Sequence, residues 1–84
     1  TKMKQTIRTL LAKHGNLPVS IDDVADGADL YDAGLSSFAS VQVMLALEEE
    51  FDIEFPEHLL NRKSFSSIDA IDAALTEILK EQAA

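Results

Sequence analysis

The stretch GLSSFASVQVMLALEEEF, Gly34–Phe51, decides how the rest of the chain can fold. A glycine and two serines stand before a run in which Gln42 is the only polar residue from Val41 to Leu47. A helix leaves its first N–H groups unpaired, and a serine at Ser36 or Ser37 can satisfy one of them. The spacing therefore predicts a helix over 37–51. On it Val43, Ala46, Leu47 and Phe51 share one face suited to a core, while Phe38, Val41 and Leu45 fall on another. Small domains rarely bury both sides of a helix, so the second face is a candidate binding surface. The competing reading is a central helix buried nearly all round.

Upstream, Met3, Ile7, Leu10 and Leu11 form the apolar stripe of a first helix, stopped by Gly15 and Pro18 after His14. The pattern then lapses from Asn16 to Gly34 into a long loop, expected to be pinned by Leu17, Val19, Ile21, Val24, Leu30 and Tyr31. Downstream, Asp52 to Phe55 reads as extended, and Pro56 as the first residue of a short helix through Leu60 with Asn61 as its stop. Ser66 and Asp69 have the spacing of a capping box ahead of a last helix marked by Ile68, Ile71, Leu75, Ile78 and Leu79. The expected fold is all-α: a small antiparallel bundle of three main helices plus one short helix, with a long loop between the first two.

With 84 residues, the chain is expected to form a single domain over 1–84 with one modest core, too small for a deep active site. It has no cysteine, so it can build neither a disulfide nor a thiolate metal site. It shows no apolar run long enough to span a bilayer and no signal segment, so a soluble, cytoplasmic protein is expected.

Fifteen acids oppose seven bases, for a net charge of −8, and no lysine or arginine lies between Lys13 and Arg62. That acidic interval would repel a phosphate backbone, which argues against nucleic acid and for a basic protein partner. Within it Glu48, Glu49, Glu50 and Asp52 crowd the C-terminal end of the second helix, where the dipole favours cations. Breaking that local preference marks a candidate docking surface.

The sequence holds no catalytic or metal-binding constellation. Aligning Gly27 with the sixth position of an EF-hand loop puts Val24 and Ala33 where oxygen ligands are required. His14 and His58, the only histidines, lie on separate segments, which argues against a metal site or a catalytic triad. Gly34-Leu35-Ser36-Ser37-Phe38 lacks the second glycine of a nucleophile elbow. No catalytic residue and no metal ligand is assigned.

The order of segments carries more. ADLYDAGLSSF, then VQVMLALEEEFDIEFP, then SFSSIDAI leading into the last helix resembles an acyl carrier protein over essentially the whole chain. In that family the serine of a Gly-x-Asp-Ser-Leu motif is esterified with 4′-phosphopantetheine. The resemblance implies that Ser37 carries this group, with Ser36 in the aspartate's place and Phe38 in the leucine's. The arm's thiol would supply the sulfur that the chain lacks. DAGLSSFASVQVML and FDIEFPEHLLNRKSF are further similar to the small bacterial aminoacyl carrier proteins.

That similarity implies an aminoacyl cargo such as glycine or alanine, held as a thioester on a carrier that is not itself an enzyme. It also implies two partner enzymes. One is a phosphopantetheinyl transferase; the other is an amino acid:[carrier protein] ligase related to the core of seryl-tRNA synthetases. A downstream acceptor enzyme of unstated identity completes the set. The implied partner face holds Leu35, Ser36, Phe38, Val41, Leu45, Glu48 and Glu49, with Arg62 and Lys63 adding contacts on a monomer. The alternatives are an acyl carrier of fatty-acid or polyketide synthesis and an acidic helical interaction module that is never modified.

Overall fold

Thr1 starts the first helix: its hydroxyl accepts a hydrogen bond from the Lys4 N–H in the computed structural model, which describes residues 1–83. Helix α1 spans Lys2–His14 and buries Ile7, Leu10 and Leu11. It ends at Gly15, which keeps right-handed helical dihedrals, while the left-handed residue is Asn16 at φ 50°. Glycine is nevertheless required at 15, because a Cβ there would meet the Leu11 carbonyl oxygen at 2.6 Å.

The long connection is ordered by its own contacts. Val24, Leu30 and Leu35 enter the core, and Leu17, Ile21 and Tyr31 pack against it; Val19, expected as a pin, is exposed. Backbone bonds tie this segment to the start of the last helix and the residues just ahead of it, Leu30 N–H to Ser66 O at 2.7 Å and Asp69 N–H to Asp26 O at 3.0 Å. Gly34 closes the loop at φ +116°, pressed so near Pro18 that an added Cβ would stand 2.5 Å from the proline Cδ.

Helix α2 covers Ser37–Phe51, as expected, and buries Ala39, Val43 and Leu47. Ala46 and Phe51 are half-buried against the same core, and the opposite face is open, so the helix is not buried all round. Its C-cap, Asp52, is left-handed at φ 53°, ψ 54°, and not the extended residue expected there.

The expected short helix is instead two 3₁₀ turns, Glu57–Leu59 and Arg62–Phe65. Pro56 caps the first from outside, and Asn61 opens the second instead of stopping the first. Asn61 links both turns: its Nδ2 donates to the His58 carbonyl at 2.9 Å and its Oδ1 accepts from the Ser64 N–H at 3.0 Å. Phe65 then stacks on Phe55, ring centroids 5.2 Å apart.

Helix α3, Ile68–Ala83, buries Ile68, Ile71, Ala74, Leu75 and Ile78. Its cap is Ser67, whose Oγ accepts from the Ala70 N–H at 2.9 Å; the expected box of Ser66 and Asp69 does not form. Asp69 faces α1 instead and pairs with Lys4 at 2.7 Å. Helix α1 packs against both α2 and α3, giving an all-α bundle with no strand among the described residues.

Candidate functional site

Two adjacent serines at the start of α2 have separate roles. Ser36 is the N-cap, its Oγ accepting from the Ala39 N–H at 3.0 Å. Ser37 follows as the first helical residue, exposed, with a hydroxyl that makes no hydrogen bond among the described residues. Ser40 is occupied locally, its Oγ donating to the Ser37 carbonyl at 2.7 Å. The Ser37 hydroxyl is therefore free for a covalent substituent, in the field of a helix N-terminus that favours an anion.

Beside Ser37 opens a cleft of about 300 Å³ between α2 and the two 3₁₀ turns. Val41, Met44, Leu60 and Phe65 make its wall apolar, and Tyr31 and Arg62 stand at its polar side. The Arg62 guanidinium lies over the Tyr31 ring, 3.8 Å from the centroid. Tyr31 Oη in turn donates to the Arg62 carbonyl at 3.1 Å. Partial burial pushes the Tyr31 phenol above its ordinary value, with Asp29 adding to the rise and Arg62 opposing it, so the ring stays neutral and able to donate.

The expected partner face divides. Phe38 is 75% exposed, Val41 48% and Leu45 49%, a stripe of apolar side chains along the outside of α2. Ser36 is exposed but engaged as the cap. Leu35 does not belong to this face: it is only 4% exposed and sits in the core, and its N–H donates to the Leu30 carbonyl at 2.9 Å. Glu49 is exposed on the acidic end of α2. Arg62 and Lys63 are both exposed, on the second 3₁₀ turn.

Glu48 has a structural task beside any docking. Its carboxylate accepts the Phe55 N–H at 2.8 Å, and its carbonyl accepts from Asp52 and Ile53. An acid at the wrong end of the dipole is thus repaid by closing the turn that follows α2.

Sequence reasoning missed the clamp on the acidic loop. Arg8 donates to the Ile21 carbonyl at 2.7 Å and to Asp26 Oδ1 at 2.6 Å, while Lys4 contacts Asp26 at 3.6 Å and Asp69 at 2.7 Å. The Arg8 hydrogen bond holds the Asp26 carboxyl below its ordinary range, against the opposing effect of desolvation. Asp69 raises Lys4 in the same way. The spacing Lys4/Arg8, one turn apart on a single face of α1, was the available signal. No cluster of three metal-ligating side chains occurs among the described residues, and His58 pairs with Glu77 at 2.6 Å.

Comparison with known proteins follows the same lines. Residues 5–75 match the family described as "Phosphopantetheine attachment site". The chain is 65% identical to an aminoacyl carrier protein of Agrobacterium fabrum over 92% of its own length and 93% of that protein's. It superposes, with TM-score 0.88 and 64% identity, on a chain of the crystal structure of an engineered Bradyrhizobium japonicum glycine:[carrier protein] ligase complexed with carrier protein from Agrobacterium tumefaciens and ATP. That match covers 90% of this chain and 99% of that one. A second ligase structure, of the B. japonicum enzyme complexed with glycylated carrier protein, matches at TM-score 0.76 and 26% identity, over 88% of this chain and 99% of that one. A free serine at a helix start, a cleft beside it and a family match across the bundle agree: the chain belongs to the phosphopantetheine attachment-site family, among its aminoacyl carrier proteins.

Proposed function

We propose that this carrier bears 4′-phosphopantetheine on Ser37 and delivers a small amino acid, glycine or alanine, as a thioester to a downstream acceptor enzyme. The observation that carries the reading is the unengaged Ser37 hydroxyl beside the cleft, next to a serine already committed as the cap. When bound, the group supplies the thiol on which an aminoacyl residue rides. The chain's own residues do the rest. Ser36 holds the helix start in shape, so that Ser37 is presented at its positive end. Phe38, Val41 and Leu45 offer an apolar strip for a partner enzyme, and Glu49 adds charge that steers a basic one.

The partners in this reading are a phosphopantetheinyl transferase and an ATP-dependent amino acid:[carrier protein] ligase that passes an aminoacyl adenylate to the thiol. Support for the ligase comes from relatives seen in complex with glycine:[carrier protein] ligases. The reading also takes the carrier to act as a monomeric single domain in the cytoplasm; no described helix is long and apolar enough to cross a membrane. The apolar wall of the cleft favours one second reading, a carrier of fatty-acyl or polyketide groups.

The deciding experiment has two stages. Co-expression with a phosphopantetheinyl transferase is followed by intact mass, with one added phosphopantetheine expected in the wild type and none in Ser37→Ala. No addition with any transferase supports an unmodified interaction module instead. The holo protein is then incubated with ATP, ligase and glycine; glycylation is expected, and acceptance of fatty acyl groups alone would overturn the aminoacyl reading.

A further inference from the structure

Arg62 and Tyr31 hold each other at two points, the guanidinium over the ring at 3.8 Å and the phenol on the Arg62 carbonyl at 3.1 Å. Both line the cleft that Ser37 also lines. Arg62 takes part in no ion pair among the described residues, whereas Lys4 and Arg8 are paired with carboxylates. From His14 to Leu79 the chain has only two lysines or arginines, Arg62 and Lys63, in a protein of net charge −8. Stacking engages the face of a guanidinium and leaves its in-plane N–H donors free, in the forked geometry that fits phosphate oxygens.

Resting on the attachment of phosphopantetheine to Ser37, we propose that Arg62 binds the phosphodiester of the arm, with Tyr31 as the platform that positions it. The phosphodiester is anionic. On one side it meets the N-terminal field of α2, and across the cleft it meets the Arg62 fork. Ser36 presents a hydroxyl directed at the Ala39 N–H, so the residue before the attachment point adds no repelling charge. Because the guanidinium already rests over the ring, less side-chain entropy is lost when the anion arrives than for a freely rotating arginine. The root of the arm is thereby held against the rim formed by α2 and the Arg62–Phe65 turn. Lys63, the neighbouring cation, does not line the cleft and takes no part.

The test compares apo and holo protein, each verified by intact mass, through the Arg62 Nε–Hε resonance and the phosphorus resonance of the arm. On conversion to holo the Arg62 signal is expected to shift, and the shift is expected to shrink toward zero as salt is raised to about 1 M, where screening acts within about 3 Å. The phosphorus resonance of holo Arg62→Gln and of holo Tyr31→Leu is expected to differ from wild type and to lose its salt dependence. Lys63→Gln and Tyr31→Phe, which keep the guanidinium and the ring, are expected to match wild type. A mass gain with an unmoved Arg62 signal, or an Arg62→Gln phosphorus resonance that superimposes on wild type, overturns this proposal and leaves the carrier reading standing. Absence of the mass gain overturns both.

Discussion

The carboxylate of Glu48 accepts the backbone N–H of Phe55 at 2.8 Å, seven residues on, and so closes the turn that leads out of α2. Its neighbour Glu49 is exposed and its carboxylate makes no hydrogen bond or ion pair among the described residues. Two adjacent acids that look alike in sequence should therefore respond differently. Glu48→Ala leaves a partly buried N–H without its charged acceptor and is expected to cost about 1–3 kcal/mol in denaturant unfolding. Glu49→Gln is expected to leave stability within about 0.5 kcal/mol of wild type. In a ligase loading assay Glu49→Gln should instead slow association, most clearly at low salt. Equal stability losses in the two variants would show that the Phe55 contact is not what Glu48 contributes.

Ser36 and Ser37 separate in the same manner. Removing the cap with Ser36→Ala is expected to destabilise the protein by about 1 kcal/mol, since the Ala39 N–H loses its partner, while the phosphopantetheine mass gain persists. Ser37→Ala should do the reverse, abolishing the mass gain and leaving the unfolding midpoint near that of wild type, because the hydroxyl makes no hydrogen bond among the described residues. Loss of the mass gain in Ser36→Ala alone would exchange the two roles.

What could be read from the sequence follows from the range of the interactions involved. The helix over Ser37–Phe51 and its buried Val43 and Leu47 were visible because 3.6-residue periodicity is a local property. The exposed stripe of Phe38, Val41 and Leu45 followed from the same wheel. Leu35 precedes the helix in a turn closed by its bond to the Leu30 carbonyl, where no periodicity applies to tell which way it faces. Asn61 has the chemistry of a stop and yet caps the next turn, because a residue that ends one element and one that begins another share their chemistry. The Tyr31–Arg62 contact spans 31 residues and is fixed only by the fold, so its two members carried no common signal. Family resemblance supplied Ser37, whose position alone is that of an ordinary helix-start serine.

Arg8 and Lys4 tie α1 to Asp26 and Asp69, and this clamp gives the stability a predictable pH dependence. Asp26 is held below its ordinary value of 3.8 chiefly by the Arg8 hydrogen bond. A depressed carboxyl favours the folded state fully above its unfolded pKa, and that contribution fades as pH falls below 3.8 toward the folded value. Lys4 is raised above 10.5 by its hydrogen bond to Asp69, so its contribution is complete below 10.5 and fades as pH climbs through the folded value. Asp26→Asn should thus lower the melting temperature at neutral pH and narrow its gap to wild type in acid. A gap that stays constant from neutral pH to below the Asp26 transition would remove the ionised carboxylate from the account.

Leu35 and Phe38 lie three residues apart on either side of Ser37, one in the core and the other 75% exposed. Burial decides the cost of truncating each. Leu35→Ala opens a cavity in the core and is expected to cost about 2–5 kcal/mol of stability. Phe38→Ala removes a ring that the fold does not use, so unfolding should change by no more than about 0.5 kcal/mol. If the apolar stripe of α2 docks the ligase, Phe38→Ala should lose about 1–2 kcal/mol of binding, roughly a 5- to 30-fold rise in the carrier concentration at half-maximal loading, with the maximal rate little changed. Val41→Ala, half-exposed on the same strip, should act in the same direction and by less. An unchanged half-maximal concentration in both variants would mean that the partner reads the acids and the prosthetic group alone, with the exposed stripe serving no contact.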